Sequence, residues 1–349
     1  MVRIELNDEI LRYHKDYILN DSGILENLNK LYEKNISKAK KDFVKYLIGQ
    51  VEKLNTVDYS DSIFLMTPKE MKEQLDYIRD NYKEAYEDCL KKKSRFSKYI
   101  LSALDYDQFT KNMPEDKGTK ELREDESQKK WGAYAFLMKL DLSVCPYCNR
   151  TFINTVYMTP KSGKARADLD HFLPKAKYPY FSMSIYNLVP SCSVCNSRFK
   201  GQKEFKYTKN LNPYENLEIN DLLTFGYSPD NYLECIGLDD NKLSVKLNFN
   251  KSEHKEKAIH AKRLEDNCKV FHIEEVYQNH TDVVRDILLK HHIFSDDYKK
   301  QIMNSYKDLF SSEEEMDRLL YGYIKEDDIK NTMLGKLQFD INKEANALD

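Results

Sequence analysis

No stretch of this 349-residue chain approaches the roughly 20 apolar residues needed to span a bilayer. The longest apolar runs are Ile63–Met66 and Ala133–Met138. A secretory leader is missing too, since the first residues carry acids and polar groups, so a cytoplasmic protein without a membrane partner is expected. There is no internal repeat and no low-complexity linker. The chain is not poor in core formers: 41% hydrophobic residues, with 25 Tyr and 16 Phe, exclude a disordered chain. An excess of charge of one sign is absent as well. Lys and Arg number 55 against 58 Asp and Glu, and this net charge of -3 gives no hint of a nucleic-acid binder. The seven cysteines are odd in number and follow no leader, which argues against a disulfide framework.

Residues 1–140 read as a helical region. Thr67-Pro68-Lys69-Glu70 predicts a helix start, with Thr67 as cap, Pro68 in the first turn and Glu70 reaching back. Met71, Leu75, Ile78, Tyr82, Ala85 and Cys89 then recur at helical spacing. Asp8–Leu19 and Ile24–Leu54 show similar patterns, Asn112–Lys130 reads as a loop, and Trp131–Leu140 as a further helix. From residue 141 to 210 the character changes, and five of the nine prolines fall here (Pro146, Pro160, Pro174, Pro179, Pro190). Thr151–Met158 reads as a strand, Lys161–Lys164 as a turn, Ala167–Phe172 as the return strand, and Asn196 as the start of a helix. Residues 211–349 form a C-terminal α/β region. In it Tyr232–Ile236 and Leu243–Phe249 flank Asp239-Asp240-Asn241 as a hairpin, before helices over Ile273–His292 and Glu313–Tyr323.

Four of the cysteines form two C-x-x-C units, Cys145/Cys148 and Cys192/Cys195, separated by 43 residues. Each unit brings two thiolates to one tight turn. Together they supply the complete four-sulfur shell of a structural zinc, with no position left open for chemistry. A thioredoxin-like redox reading fits less well, because neither pair lies between a strand and a helix of a βαβ unit. Cys89, Cys235 and Cys268 read as structural residues.

Between and after the pairs stand Asp168-Leu169-Asp170-His171-Phe172-Leu173-Pro174-Lys175, Asn187-Leu188-Val189-Pro190-Ser191-Cys192 and Cys195-Asn196-Ser197-Arg198-Phe199-Lys200-Gly201. In order and spacing, the 57 residues from Cys145 to Gly201 resemble the HNH, or ββα-metal, endonucleases. The likeness is to the zinc-stapled branch of that family, and within it to nucleases of Septu and retron-type anti-phage systems. The resemblance implies an α+β chain, a mainly helical body carrying an inserted zinc-held ββα-metal module and a small β-hairpin. It implies hydrolysis of phosphodiester bonds in DNA, with RNA as the other candidate substrate. His171 would be the general base, Asp170 and Asn196 would hold Mg²⁺ or Mn²⁺, and Asn187 would orient the base or brace its loop. It also implies a protein partner, an ATPase subunit.

These roles suit the residue types. Neutral imidazole accepts a proton near pH 7. Carboxylate and amide oxygens are hard ligands for Mg²⁺ or Mn²⁺. Asp168 and Asp170 share a face of any regular strand and His171 points the other way, so the strand must end or twist there, with Asp168 as the reserve ligand. The charge count agrees: residues 145–209 carry eleven cations against Asp168, Asp170 and Glu204, a local +8 inside a chain that is otherwise -11. Lys175, Lys177, Arg198 and Lys200 are the candidate phosphate contacts. Tyr178, Tyr180, Phe181 and Tyr207 could stack on bases or be buried. Two competing readings are a stand-alone restriction or homing-type HNH nuclease, and a zinc-dependent nucleic-acid-binding protein without cleavage.

Overall fold

The computed structural model describes residues 1–112, 131–159, 162–229, 234–235, 243–250, 254–306, 309–310 and 312–346. Its contacts divide the chain into two units. One comprises Arg3–Leu142 and Ile153–Asn216, the other Met1–Val2, Ser143–Phe152 and Leu217–Asp349.

The first unit begins with helices α1 (Asp8–Asp16), α2 (Ile24–Tyr32), α3 (Lys38–Lys53), α4 (Pro68–Asn81), α5 (Lys83–Leu90), α6 (Arg95–Leu104), α7 (Tyr106–Lys111) and α8 (Ala133–Lys139). Glu70 takes the Thr67 N–H at 2.8 Å and completes the capping box that opens α4. The apolar stripe that follows divides at Tyr82, where φ -126° and ψ 45° break the helix. Met71, Ile78, Ala85 and Cys89 are nevertheless all buried. The segment expected to be helical over Ile24–Leu54 likewise splits into α2 and α3. Residues 113–130 of the expected loop lie outside the described residues.

Two antiparallel hairpins follow: β1 (Val156–Thr159) with β2 (Ser162–Ala165), and β3 (Asp168–His171) with β4 (Leu188–Ser191). The expected pairing is therefore corrected. The strand returning on β1 is Ser162–Ala165, in register Val156↔Ala165 and Thr159↔Ser162, so Ser162–Lys164 extend the ladder rather than turn it. Asp168–His171 pairs with β4 instead. A π-helix, Val194–Lys200, follows β4. Gly201 ends it at φ +50°, a left-handed backbone that favours glycine, and its N–H reaches back five residues to the Asn196 carbonyl at 2.8 Å.

The loop joining β3 to β4 is pinned to the helical segment by hydrogen bonds. Ser97 Oγ donates to Ala176 O, Ser184 Oγ to Ile63 O, and Ile185 N–H to Phe64 O. His14 of α1 is fully buried: its Nε2 donates to Met183 O at 2.8 Å, and its Nδ1 accepts from Trp131 Nε1 at 3.3 Å. Both ring nitrogens are thus satisfied by a neutral imidazole. Burial pushes the His14 pKa down to about 4, with the Met183 carbonyl opposing. The unfolded chain therefore takes up a proton near pH 6.5 that the folded chain refuses until about pH 4, and stability falls as pH drops through that window. We expect this group to contribute a loss of about 1–2 kcal/mol between pH 6.5 and 5. Urea melts of wild type and His14→Gln at both pH values test this, and an unchanged pH slope in the variant would contradict it.

The second unit holds β5 (Leu223–Ser228), β6 (Ser244–Phe249) and helices α9 (Lys255–Val270), α10 (Ile273–Tyr277), α11 (Thr281–Ile293), α12 (Asp296–Ser305), α13 (Glu313–Tyr321) and α14 (Gly335–Asn346). Here too a strand partner is corrected. β6 pairs with Leu223–Ser228, where buried Phe225 faces half-buried Leu247 and buried Tyr227 faces buried Val245, and not with Tyr232–Ile236. Of the latter segment Glu234 and Cys235 are helical, and the rest lies outside the described residues, as does the Asp239–Asn241 turn. The helix expected over Ile273–His292 is interrupted by a 3₁₀ turn at Gln278–His280. In α14, Lys336 and Asp340 form a buried ion pair, and Asp340 Oδ2 accepts the Phe225 N–H at 2.8 Å, tying this helix to β5.

Candidate metal centre and active site

Both cysteine pairs lie on knuckles of the same construction, and both read C-x-x-C-Asn. In each, the asparagine N–H returns to the carbonyl of the first cysteine: Asn149 to Cys145 at 2.7 Å and Asn196 to Cys192 at 3.0 Å. At the first knuckle Asn149 takes φ +52°, a conformation asparagine tolerates better than most residues. Its Nδ2 donates to Ile329 O and Thr332 O, and its Oδ1 accepts the Lys336 N–H. Tyr277 Oη donates to Cys148 O at 2.8 Å, and Tyr147 stacks on Phe271 at 4.3 Å. At the second knuckle the Cys195 N–H points at Cys192 Sγ, 3.4 Å away.

The four Sγ atoms all lie within 4.8 Å of one another, and the four residues are buried. Zinc–sulfur bonds of about 2.3 Å in a tetrahedron put sulfurs about 3.8 Å apart, so the four cysteines are close enough together to hold a zinc ion.

On β3, side chains alternate as strand geometry requires. Asp168 and Asp170 both meet the π-helix, one turn apart. Asn196 Nδ2 donates to Asp168 Oδ2 at 3.1 Å, which leaves the amide oxygen as an acceptor. Lys200 Nζ contacts both carboxylate oxygens of Asp170 at 2.7 Å. Lys200 also donates to the carbonyls of His171 and Phe172 and lies over the Phe205 ring at 4.8 Å. Its side chain is 2% exposed. The phosphate contact expected of Lys200 is therefore revised: burial places its charge beneath the strand, not on the surface.

His171, the last residue of β3, lies on the opposite side. Its Nε2 is 3.0 Å from Ser182 O. A carbonyl can only accept, so Nε2 carries the hydrogen and Nδ1 keeps the lone pair. Burial, with the charges of Lys175 and Lys200, lowers its pKa to about 3 against a smaller contribution from the Ser182 carbonyl, so the imidazole is neutral at pH 7. Tyr106, at the start of α7, packs against this ring edge to face at 4.5 Å, and Lys175 Nζ sits 4.3 Å from the Tyr106 ring centre. Tyr106 lies 65 residues before His171, and sequence reasoning missed it. An aromatic residue three positions before Phe109, as one face of a helix would place them, is the signal the sequence offers.

Asn187 bonds only to backbone. Its Oδ1 accepts the Leu173 N–H at 2.7 Å, and its Nδ2 donates to Leu173 O and Phe181 O. This braces the loop that carries Ser182. Of the other candidate cations, Lys177 pairs with Glu204 at 2.6 Å, and Arg198 is exposed. Tyr178, Tyr180, Phe181 and Tyr207 are all buried, which favours core over base stacking. No helix among the described residues is long and apolar enough to cross a membrane.

No protein-family model matches the chain, and no solved structure matches it. Among curated proteins, it is 60% identical over 35 residues to protein ea31 of Escherichia phage lambda, covering 10% of this chain and 12% of that protein. It is 34% identical over 101 residues to the Septu protein PtuB of Bacillus thuringiensis, covering 28% of this chain and 35% of that protein. The chain thus spans well under half the length of either relative, and what it has in common with them is a segment.

Proposed function

We propose that this chain is a metal-dependent HNH endonuclease that hydrolyses phosphodiester bonds of DNA, and that it serves as an effector of a Septu-type anti-phage system with an ATPase partner. The observation that carries the reading is the placement of His171: its Nε2–H is held by Ser182 O, at the end of a strand whose other face turns Asp168 and Asp170 toward the π-helix that bears Asn196. Nδ1 then takes a proton from the attacking water. Asn187 holds the loop that positions the Ser182 carbonyl. Asp170 and Asn196, with Asp168 beside them, supply the hard oxygen donors that suit Mg²⁺ or Mn²⁺. When bound, such a cation polarises the phosphate and offsets the charge of the transition state. Arg198 and Lys175 would meet the nucleic-acid backbone, and a cysteine-bound zinc would hold the knuckles without joining the chemistry. The likeness to a Septu protein supports the defence role.

The reading is tested by incubating DNA with the protein and Mg²⁺ or Mn²⁺, where metal-dependent nicking that EDTA abolishes is expected. Cleavage unaffected by EDTA would contradict it. Co-purification from the native operon should recover an ATPase subunit, and recovery of this chain alone would count against the partner.

Tyr106 should act on the base by position. Tyr106→Ala is expected to lower kcat roughly tenfold or more with little change in KM, since a small misplacement of a catalytic group is costly. Tyr106→Phe, which keeps the ring, should restore the rate. Equal rates for Ala and Phe variants would show that the contact is only packing.

A further inference from the structure

We infer that Lys200 is a resident competitor for the catalytic cation, keeping metal affinity low until a substrate phosphate arrives. This rests on the metal-nuclease reading above and concerns a residue that the reading leaves without a role.

The ammonium is caged by four oxygens: both carboxylate oxygens of Asp170 and the carbonyls of His171 and Phe172. An aromatic face, Phe205, lies beneath it. That is the donor set of a cation site, and a tethered cation fills it. Lysine has three N–H donors and no acceptor, so every one of these contacts draws on its positive charge. With its side chain 2% exposed, Lys200 has no solvent to retreat into. A divalent ion that reaches Asp170 must therefore share the carboxylate with the ammonium, through the lone pairs that Lys200 does not use.

The local charge count gives the consequence. Asp168 and Asp170 contribute two negative charges, and Lys200 cancels one. Of these three charges one net negative remains for a doubly charged ion, and the amide that Asn196 sets against Asp168 is neutral. Repulsion between two cations on one carboxylate weakens metal binding in the free protein. A phosphodiester at the same place restores the missing negative charge. Metal and substrate then bind with positive coupling, and each tightens the other by the same factor. The same ammonium keeps Asp170 paired and the end of β3 folded when no metal is bound, so the site needs no catalytic ion for its own stability.

The test is Mn²⁺ binding to the zinc-loaded protein without DNA, read from the free-ion EPR signal. Lys200→Met and Lys200→Gln are expected to bind Mn²⁺ at least about tenfold more tightly than wild type. Lys200→Arg, which keeps the charge, should stay within about twofold, and Asp170→Asn should weaken binding. Unchanged or weaker Mn²⁺ binding in the folded Met or Gln variant overturns the inference. Should neither variant fold, the wild type decides: Mg²⁺ must shift the Lys200 Cε–Nζ NMR resonances, and an unmoved resonance overturns the inference. If neither wild type nor the Lys200 variants bind Mn²⁺ at all, the metal-nuclease reading itself fails. If wild type binds but Asp170→Asn binds equally well, the Lys200 inference falls together with Asp170 as a ligand, while the metal dependence of the reading stands.

Discussion

Replacing Cys148 or Cys195 by serine should strip the chain of its zinc and collapse its folded state well below the wild-type melting temperature. The sulfurs are buried and gathered within 4.8 Å. Zinc takes four thiolates, and such sites contribute an apparent ~10–16 kcal/mol at pH 7. That is comparable to the whole stability of a typical domain, about 5–15 kcal/mol. The effect should reach beyond the knuckles. Asn149 joins the first to residues 329–336. Asn196, the residue after Cys195, opens the path to Asp168. Metal analysis of the purified protein should give one zinc per chain, falling to a small fraction in either variant together with the melting temperature. Full zinc content in both variants would contradict the four-sulfur site.

The second large effect is expected at His171. His171→Ala removes one buried hydrogen bond, to the Ser182 carbonyl, and one ring contact, to Tyr106. That costs a modest part of the stability, since a typical hydrogen bond contributes about 1 kcal/mol net. The rate should suffer far more. A positioned general base contributes about 10²–10⁴-fold, and no second imidazole stands in the strand to replace it. Asn187→Ala should differ in kind. It opens the loop that carries Ser182, so both rate and stability decline, because three backbone groups each lose a hydrogen bond.

Much of this site can be read in the linear chain because its residues are close in sequence and chemically distinctive. The two C-x-x-C-Asn knuckles, the Asp-Leu-Asp-His strand and the helix that follows them announce themselves by spacing. The alternation rule also foretells that Asp168 and Asp170 share a face and His171 does not, as their separate partners confirm. The Thr67 cap is equally local. What escapes is what depends on depth and on distant partners. Lys200 looks like any other lysine in a basic stretch, and only the packing of the π-helix on β3 buries it. Tyr106 reaches His171 from another element. The Asp-Asp-Asn turn signal points to Tyr232–Ile236 as the partner of β6, while Leu223, Phe225 and Tyr227 supply the buried alternation that pairs with it. The overall charge of -3 is the plainest case: it averages a basic module with an acidic remainder and hides the site.

The most direct measurement is plasmid nicking by wild type and His171→Ala at equal zinc content, with Mn²⁺ or Mg²⁺, in the presence and absence of the neighbouring gene product. The account predicts metal-dependent conversion of supercoiled to open-circular DNA by the wild type, and a loss of at least about 10²-fold in the variant. Equal nicking by the two proteins would show that His171 is not the base and would contradict the account.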